Sequence, residues 1–232
     1  MTSGERLHLV LDADDTLWEN NVVFESIIAD FIAWLDHPRL DAAGVRRALT
    51  DIERLNVAAH GYGTKVFTRS LHDAVEHLRG RPVTDADRAH LMALVRRLEV
   101  EEVELLDGVP ETLEQLAARG HDLVLLTKGD PAEQRLKIEV SGIAHHFRET
   151  HVVREKDVTT YRELVRTARL TPGRTWMVGN SPRSDILPAL AADLGAVHIP
   201  HRSTWELERA DLPAGAPRLL RLDRFTDLLH HF

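Results

Sequence analysis

The 232-residue chain has no cysteine, which excludes disulfides, thiolate nucleophiles and cysteine-ligated zinc. It has no apolar stretch near the roughly 20 residues of a membrane span, and residues 1–6 run into the first apolar segment without a signal-type region. No membrane association and a cytoplasmic location are therefore expected. Runs of lysine and arginine are also missing, and a formal charge of −8 argues against a nucleic-acid partner. The fourteen histidines contain no HExxH pattern, and no GxGxxG loop is present. What is there is an ordinary globular balance, 43% hydrophobic and 28% charged. It allows one core of usual size, or a core with a smaller inserted domain.

The most informative stretch is Leu7-His8-Leu9-Val10-Leu11 followed by Asp12-Ala13-Asp14-Asp15-Thr16. A short leucine- and valine-rich run reads as a buried strand. Three acids within four residues at its end cannot stay close and ionised without a cation, so the tip is a candidate metal site. A polar turn is the competing reading, because aspartate also favours turns through local backbone hydrogen bonds.

Beyond Thr16 the periodicity is helical for some eighty residues. Phe24, Ile27, Ile28, Phe31 and Leu35 form one apolar face, and His37-Pro38 stops that helix. Three further helices follow around Val45–Ile52, Phe67–Leu78 and Leu91–Leu98, the last capped by Thr84 or Asp85. An interval of this length without a strand predicts a helical domain inserted after the first strand. From about Leu105 strands and helices alternate. Strands are expected at 122–126, 151–153, 175–178, 196–199 and 218–222, with helices from Pro110, Asp130, Asp157, Pro182 (to Asp193) and Phe225 (to Leu229). The fold class expected is α/β, a Rossmann-like parallel sheet covered on both faces. Residues 1–18 and 104–232 would form the core and 19–103 the inserted helical domain.

In parallel sheets of this kind ligands bind beyond the carboxyl ends of the strands. The tips there carry Asp12, Asp14 and Asp15; Thr127 and Lys128; Lys156; and Gly179-Asn180-Ser181-Pro182-Arg183-Ser184-Asp185. In this order and strand context the four tips resemble the haloacid dehalogenase (HAD) superfamily, with DxDxT at 12–16, its hydroxyl at Thr127, its lysine at Lys156 and its acidic motif at 179–185. The resemblance implies a Mg²⁺-dependent phosphatase acting on a small phosphorylated metabolite through an aspartyl-phosphate, with a helical cap. Asp12 would be nucleophile and metal ligand, Asp14 proton shuttle and carbonyl ligand, and Asp185 the second carboxylate on Mg²⁺. Thr127, Lys128 and Lys156 would bind phosphate. Lys156 is informative by itself, because a cation just before a helix N-terminus opposes the macrodipole and needs an anionic partner.

Several neighbours have plainer readings. Asp130, Asp157 and Ser181 suit helix caps, and Asp15 a role in orienting the loop or a metal-bound water. Many members of the family it resembles carry an acid where this chain has Asn180; the departure leaves Asp185 as the match to the acidic motif. In the insertion, His60-Gly61-Tyr62-Gly63-Thr64-Lys65 could present Tyr62 and Lys65 to a substrate; a plain turn fits equally. A phosphomutase of the same superfamily and a non-catalytic phospho-ligand-binding protein remain alternatives. Dehalogenases resemble each other in lacking the second acid, so Asp14 argues against them. A serine hydrolase is poor, since Arg183 stands where a nucleophile elbow needs glycine. The chain would act as a monomer or homodimer.

Overall fold

A computed structural model describes residues 6–99 and 102–232. They divide into two compact units, Met1–Glu19 with Glu102–Phe232, and Asn20–Glu101. Among the described residues the first unit holds a six-stranded sheet of β1 (His8–Leu11), β2 (Asp122–Lys128), β3 (Glu149–Val153), β4 (Thr175–Gly179), β5 (Gly195–His198) and β6 (Leu219–Arg221). Every pairing is parallel and the order is β3-β2-β1-β4-β5-β6. The chain moves outward in one direction through β2 and β3 and in the other through β4 to β6, so the switch point lies between β1 and β4. A crevice beyond that point is where such sheets bind ligands.

The central strands β1, β2 and β4 are largely apolar and buried because both faces are covered there, whereas β3 (Glu-Thr-His-Val-Val) at the sheet edge is not. Leu9, Leu11, Leu123, Leu125, Trp176 and Val178 pack in one layer with Val109, Leu113 and Leu116 of α5 (Val109–Ala118) and with Phe225 and Leu228. Their alternates Val10, Val124, Leu126 and Met177 pack in the other with Tyr161 and Leu164 of α7 (Val158–Thr167) and Ala189 of α8 (Leu187–Ala191). Between these in the chain lies α6 (Pro131–Val140), opened by the Asp130 cap and Pro131.

Two expected helices differ in kind. The stretch from Pro182 opens as a wide π turn, Pro182–Ile186, before α8. The Leu187 N–H reaches back to the Pro182 carbonyl, the five-residue step that defines such a turn. The terminal segment Phe225–His230 is a 3₁₀ rather than an α-helix. Its buried residues, Phe225 and Leu228, are three apart, and three residues per turn put them on one face.

The second unit consists of α1 (Asn21–Leu35), α2 (Ala42–His60), α3 (Thr64–Arg79) and α4 (Asp85–Val95). Ile27, Phe31, Leu49, Leu71 and Leu91 belong to its own hydrophobic core. Thr84 is the cap of α4, in a reciprocal box with Asp87, which also pairs with Arg81 at 2.6 Å and holds Arg79. The candidate contact loop is shorter than expected. His60 ends α2 and Lys65 lies in the first turn of α3, leaving residues 61–63 between the helices. No described helix is long and apolar enough to cross a membrane.

Candidate active site

Asp12 leaves β1 with its N–H donating to the Val178 carbonyl at 2.9 Å, which extends the β1–β4 ladder by one step. The chain then turns tightly. Leu17 N–H donates to Ala13 O (2.8 Å), Asp15 N–H to Trp18 O (2.7 Å), and Asp15 takes a left-handed φ of 61°. The Thr16 hydroxyl donates to Asp12 Oδ2 (3.0 Å) and accepts the Asn180 N–H (3.2 Å). One side chain thus ties the loop after β1 to the loop after β4.

Lys156 brings the distant acids together. Its ammonium donates to Asp12 Oδ1 and, at 2.8 Å, to Asp185 Oδ1, and all three side chains are buried. The second Asp185 oxygen accepts the Ser181 N–H at 2.9 Å. Asp185 sits on the π turn, against the last residue of β4. A Cβ on Gly179 would stand 2.2 Å from Asp185 Oδ2, so only glycine allows this approach. Behind it, the buried Tyr161 hydroxyl donates to Ser184 O at 2.9 Å.

Two buried carboxylates here share one ammonium. Burial, and then the charge of Asp185, push the Asp12 carboxyl up to about 7 against the pull of Lys156. Burial alone would lower the Lys156 ammonium, but the two carboxylates outweigh it and raise it. A cluster of hard oxygens left one charge short of neutrality suits a divalent cation. Asp12 and Asp185 therefore fit magnesium.

Asp14 faces different company. Its Oδ1 accepts from Trp18 Nε1 (2.8 Å) and Lys137 Nζ (2.9 Å), and its Oδ2 from Gln134 Nε2 (2.7 Å). Burial would raise this carboxyl, yet Lys137, Gln134 and Trp18 together hold it below the usual range. It is an ionised acceptor bound to α6. Gly129, at φ 149°, leaves room for Gln134, whose Nε2 would lie 2.9 Å from a Cβ there.

Thr127 is buried at the end of β2, in register with Val152. Lys128, expected to bind substrate, is committed internally, to Glu208 Oε1 (2.6 Å), Ser184 Oγ (2.7 Å) and Glu155 Oε1 (3.3 Å). Glu208 also accepts from Ser181 Oγ at 2.5 Å, which fastens the 200–217 loop to the tips of β2 and β4. Tyr62 and Lys65 belong to the helical unit. Sequence reasoning missed the linking role of Thr16, and it missed Trp18, Gln134, Lys137 and Glu208. The only available signal was the i, i+3 spacing of Gln134 and Lys137, which puts both on one face of α6.

With this geometry in place, comparison with known proteins gives the class. A family model described as haloacid dehalogenase-like hydrolase matches residues 8–193, and the chain belongs to that family. A phosphoserine phosphatase of Thermus thermophilus is 26% identical over 225 residues, covering 82% of this chain and 87% of that protein. A haloacid dehalogenase-like family hydrolase from Xanthomonas campestris superposes with a TM-score of 0.83 at 31% identity, over 99% of this chain and 92% of that one. A Bacillus subtilis HAD-hydrolase solved bound to magnesium shares the fold at 18% identity and TM-score 0.65, over 98% and 99% of the two chains. L-2-haloacid dehalogenases share it at 15–18% identity.

Proposed function

We propose that the protein is a Mg²⁺-dependent phosphatase that hydrolyses a small phosphorylated metabolite through an aspartyl-phosphate on Asp12. The observation that carries this reading is the buried Asp12–Lys156–Asp185 cluster, in which two carboxylates answer to one ammonium. That imbalance calls for a cation, and a cation beside a carboxylate nucleophile suits an anionic phosphoryl group.

Asp12 Oδ1 or Oδ2 attacks phosphorus, the ester oxygen leaves, and water then releases phosphate from the acyl-phosphate. Thr16 and Lys156 orient the attacking carboxylate, and Lys156 neutralises charge on the transferring group. Thr127 offers a hydroxyl donor from the tip of β2. Asp14, ionised in the resting site, takes up a proton from solvent in place of its bond to Lys137 and gives it to the leaving ester oxygen, which departs as an alcohol; ionised again, it takes the proton of the water that attacks the acyl-phosphate. Magnesium, held by Asp12, Asp185 and the Asp14 carbonyl, would supply charge neutralisation at the phosphoryl oxygens.

Dehalogenation is the competing reading, since dehalogenases share the fold. Asp14 and the excess of carboxylates favour phosphate chemistry. A panel of phosphorylated metabolites and 2-haloacids, assayed with Mg²⁺ on the wild type and Asp12→Asn, decides between them. Phosphate release by the wild type, lost in the variant, supports the proposal. Halide release without phosphatase activity overturns it.

A further inference from the structure

The 200–217 loop, which has no periodicity in the sequence, returns to the core unit beside the first catalytic loop. There His201 meets Asp15 and Glu19. One ligand atom from each of the three lies within 4.8 Å of the others. Asp15 and the His201 imidazole are more than nine-tenths buried, and the Glu19 side chain is nearly so.

The contacts inside the triad are poor as hydrogen bonds. His201 Nε2 stands 3.0 Å from Glu19 Oε2, yet that oxygen is buried and receives no hydrogen bond among the described residues. His201 Nδ1 is 3.6 Å from Asp15 Oδ1, beyond hydrogen-bonding range, and takes a long contact of 3.3 Å from the Ser203 N–H. Glu19 Oε1 is held from behind by Arg202 at 2.7 Å. A buried oxygen with no donor is costly. Three ligand atoms within 4.8 Å of one another, with no good hydrogen bond between them, have the spacing of donors around a shared centre.

We propose that Asp15, Glu19 and His201 form a second metal site, separate from the oxygen-only pair Asp12 and Asp185, which takes a borderline transition-metal dication of the zinc type. The imidazole decides the class. Magnesium prefers an all-oxygen shell, whereas imidazole with two carboxylates suits zinc. Bound there, the metal joins the turn after β1 to the 200–217 loop, the same loop that delivers Glu208 to Lys128. It therefore braces these loops without taking part in chemistry.

The test uses the full-length protein crystallised in excess Mg²⁺ and soaked with Zn²⁺, with anomalous difference maps collected on both sides of the zinc edge. Titration calorimetry with Zn²⁺ in excess Mg²⁺ runs alongside on the wild type, His201→Ala and the near-isosteric Glu19→Gln. The expected result is an anomalous peak within bonding distance of Asp15, Glu19 and His201, and one Zn²⁺ equivalent lost in both variants while their circular dichroism is unchanged. A map with no peak at the triad overturns the proposal, as does Zn²⁺ binding that is the same in Glu19→Gln as in the wild type. Because the anomalous map comes from the wild type, a variant that fails to fold leaves the test intact.

Discussion

Lys156 is the residue whose removal should be felt most, because among the described residues its ammonium is the cation paired with both buried acids, Asp12 and Asp185. Breaking a buried pair typically costs about 3–5 kcal/mol, mostly from the charge left behind. Lys156→Met should lower stability on that scale when Mg²⁺ is absent, and Mg²⁺ should restore part of the loss; chemical denaturation with and without the metal measures both. The raised Asp12 carboxyl has its own consequence. A metal-free site with Asp12 titrating at about 7 must release a proton when the cation binds. Mg²⁺ affinity should therefore weaken as pH falls below about 7, approaching about tenfold per unit well below it. Calorimetry at pH 6 and pH 8 in buffers of different ionisation enthalpy would show it, and equal affinity without proton release would count against it. For Asp14 the sign is opposite. Lys137 holds this carboxyl low, so Lys137→Met leaves burial dominant and raises it. If Asp14 is the base, the acidic limb of the kcat profile should move to higher pH in that variant. An unmoved limb would remove Asp14 from the proton transfer.

At the scale of elements, the site depends on how three strand ends are finished. Asp185 lies directly against the end of β4 because the strand ends in Gly179 and continues into a π turn. Gly179→Ala would put a methyl where Asp185 Oδ2 lies. Overpacking of this kind costs about 1–3 kcal/mol, and the larger effect expected is a loss of Mg²⁺-dependent turnover, measurable beside the melting temperature. Asp12, Lys156 and Asp185 could be found in the sequence because each follows an apolar run at a strand end, where chemistry collects in parallel sheets. The partners of Asp14 could not be, since Gln134 and Lys137 reach it across 120 and 123 positions of chain. The partner of Lys128 was hidden for the same reason: its sequence neighbours gave no hint of Glu208, eighty residues further on. The π turn was unreadable too, because a Pro-initiated segment with apolar positions looks like any short helix.

Across the whole molecule, the centre of the sheet was legible because both of its faces are buried, which turns β1, β2 and β4 into apolar runs that stand out between helices. The helical insertion was legible through the regular spacing of Phe24, Ile27, Ile28 and Phe31. The 200–217 loop lacks such spacing, and its use of His201 and Glu208 emerges only from the folded chain. The insertion has its own core, so substitutions at its surface should leave the catalytic unit intact. Tyr62→Ala and Lys65→Ala are expected to alter selectivity among phosphorylated metabolites more than activity on a small generic ester; equal losses on every substrate would argue against a role in recognition.

The most direct measurement is acid quenching of the enzyme during turnover with Mg²⁺ and a hydrolysed phosphate ester, followed by peptide mass spectrometry. A phosphoryl group on Asp12, absent from Asp12→Asn, is the predicted result. Sustained hydrolysis by Asp12→Asn, or phosphate trapped on another residue, would contradict it.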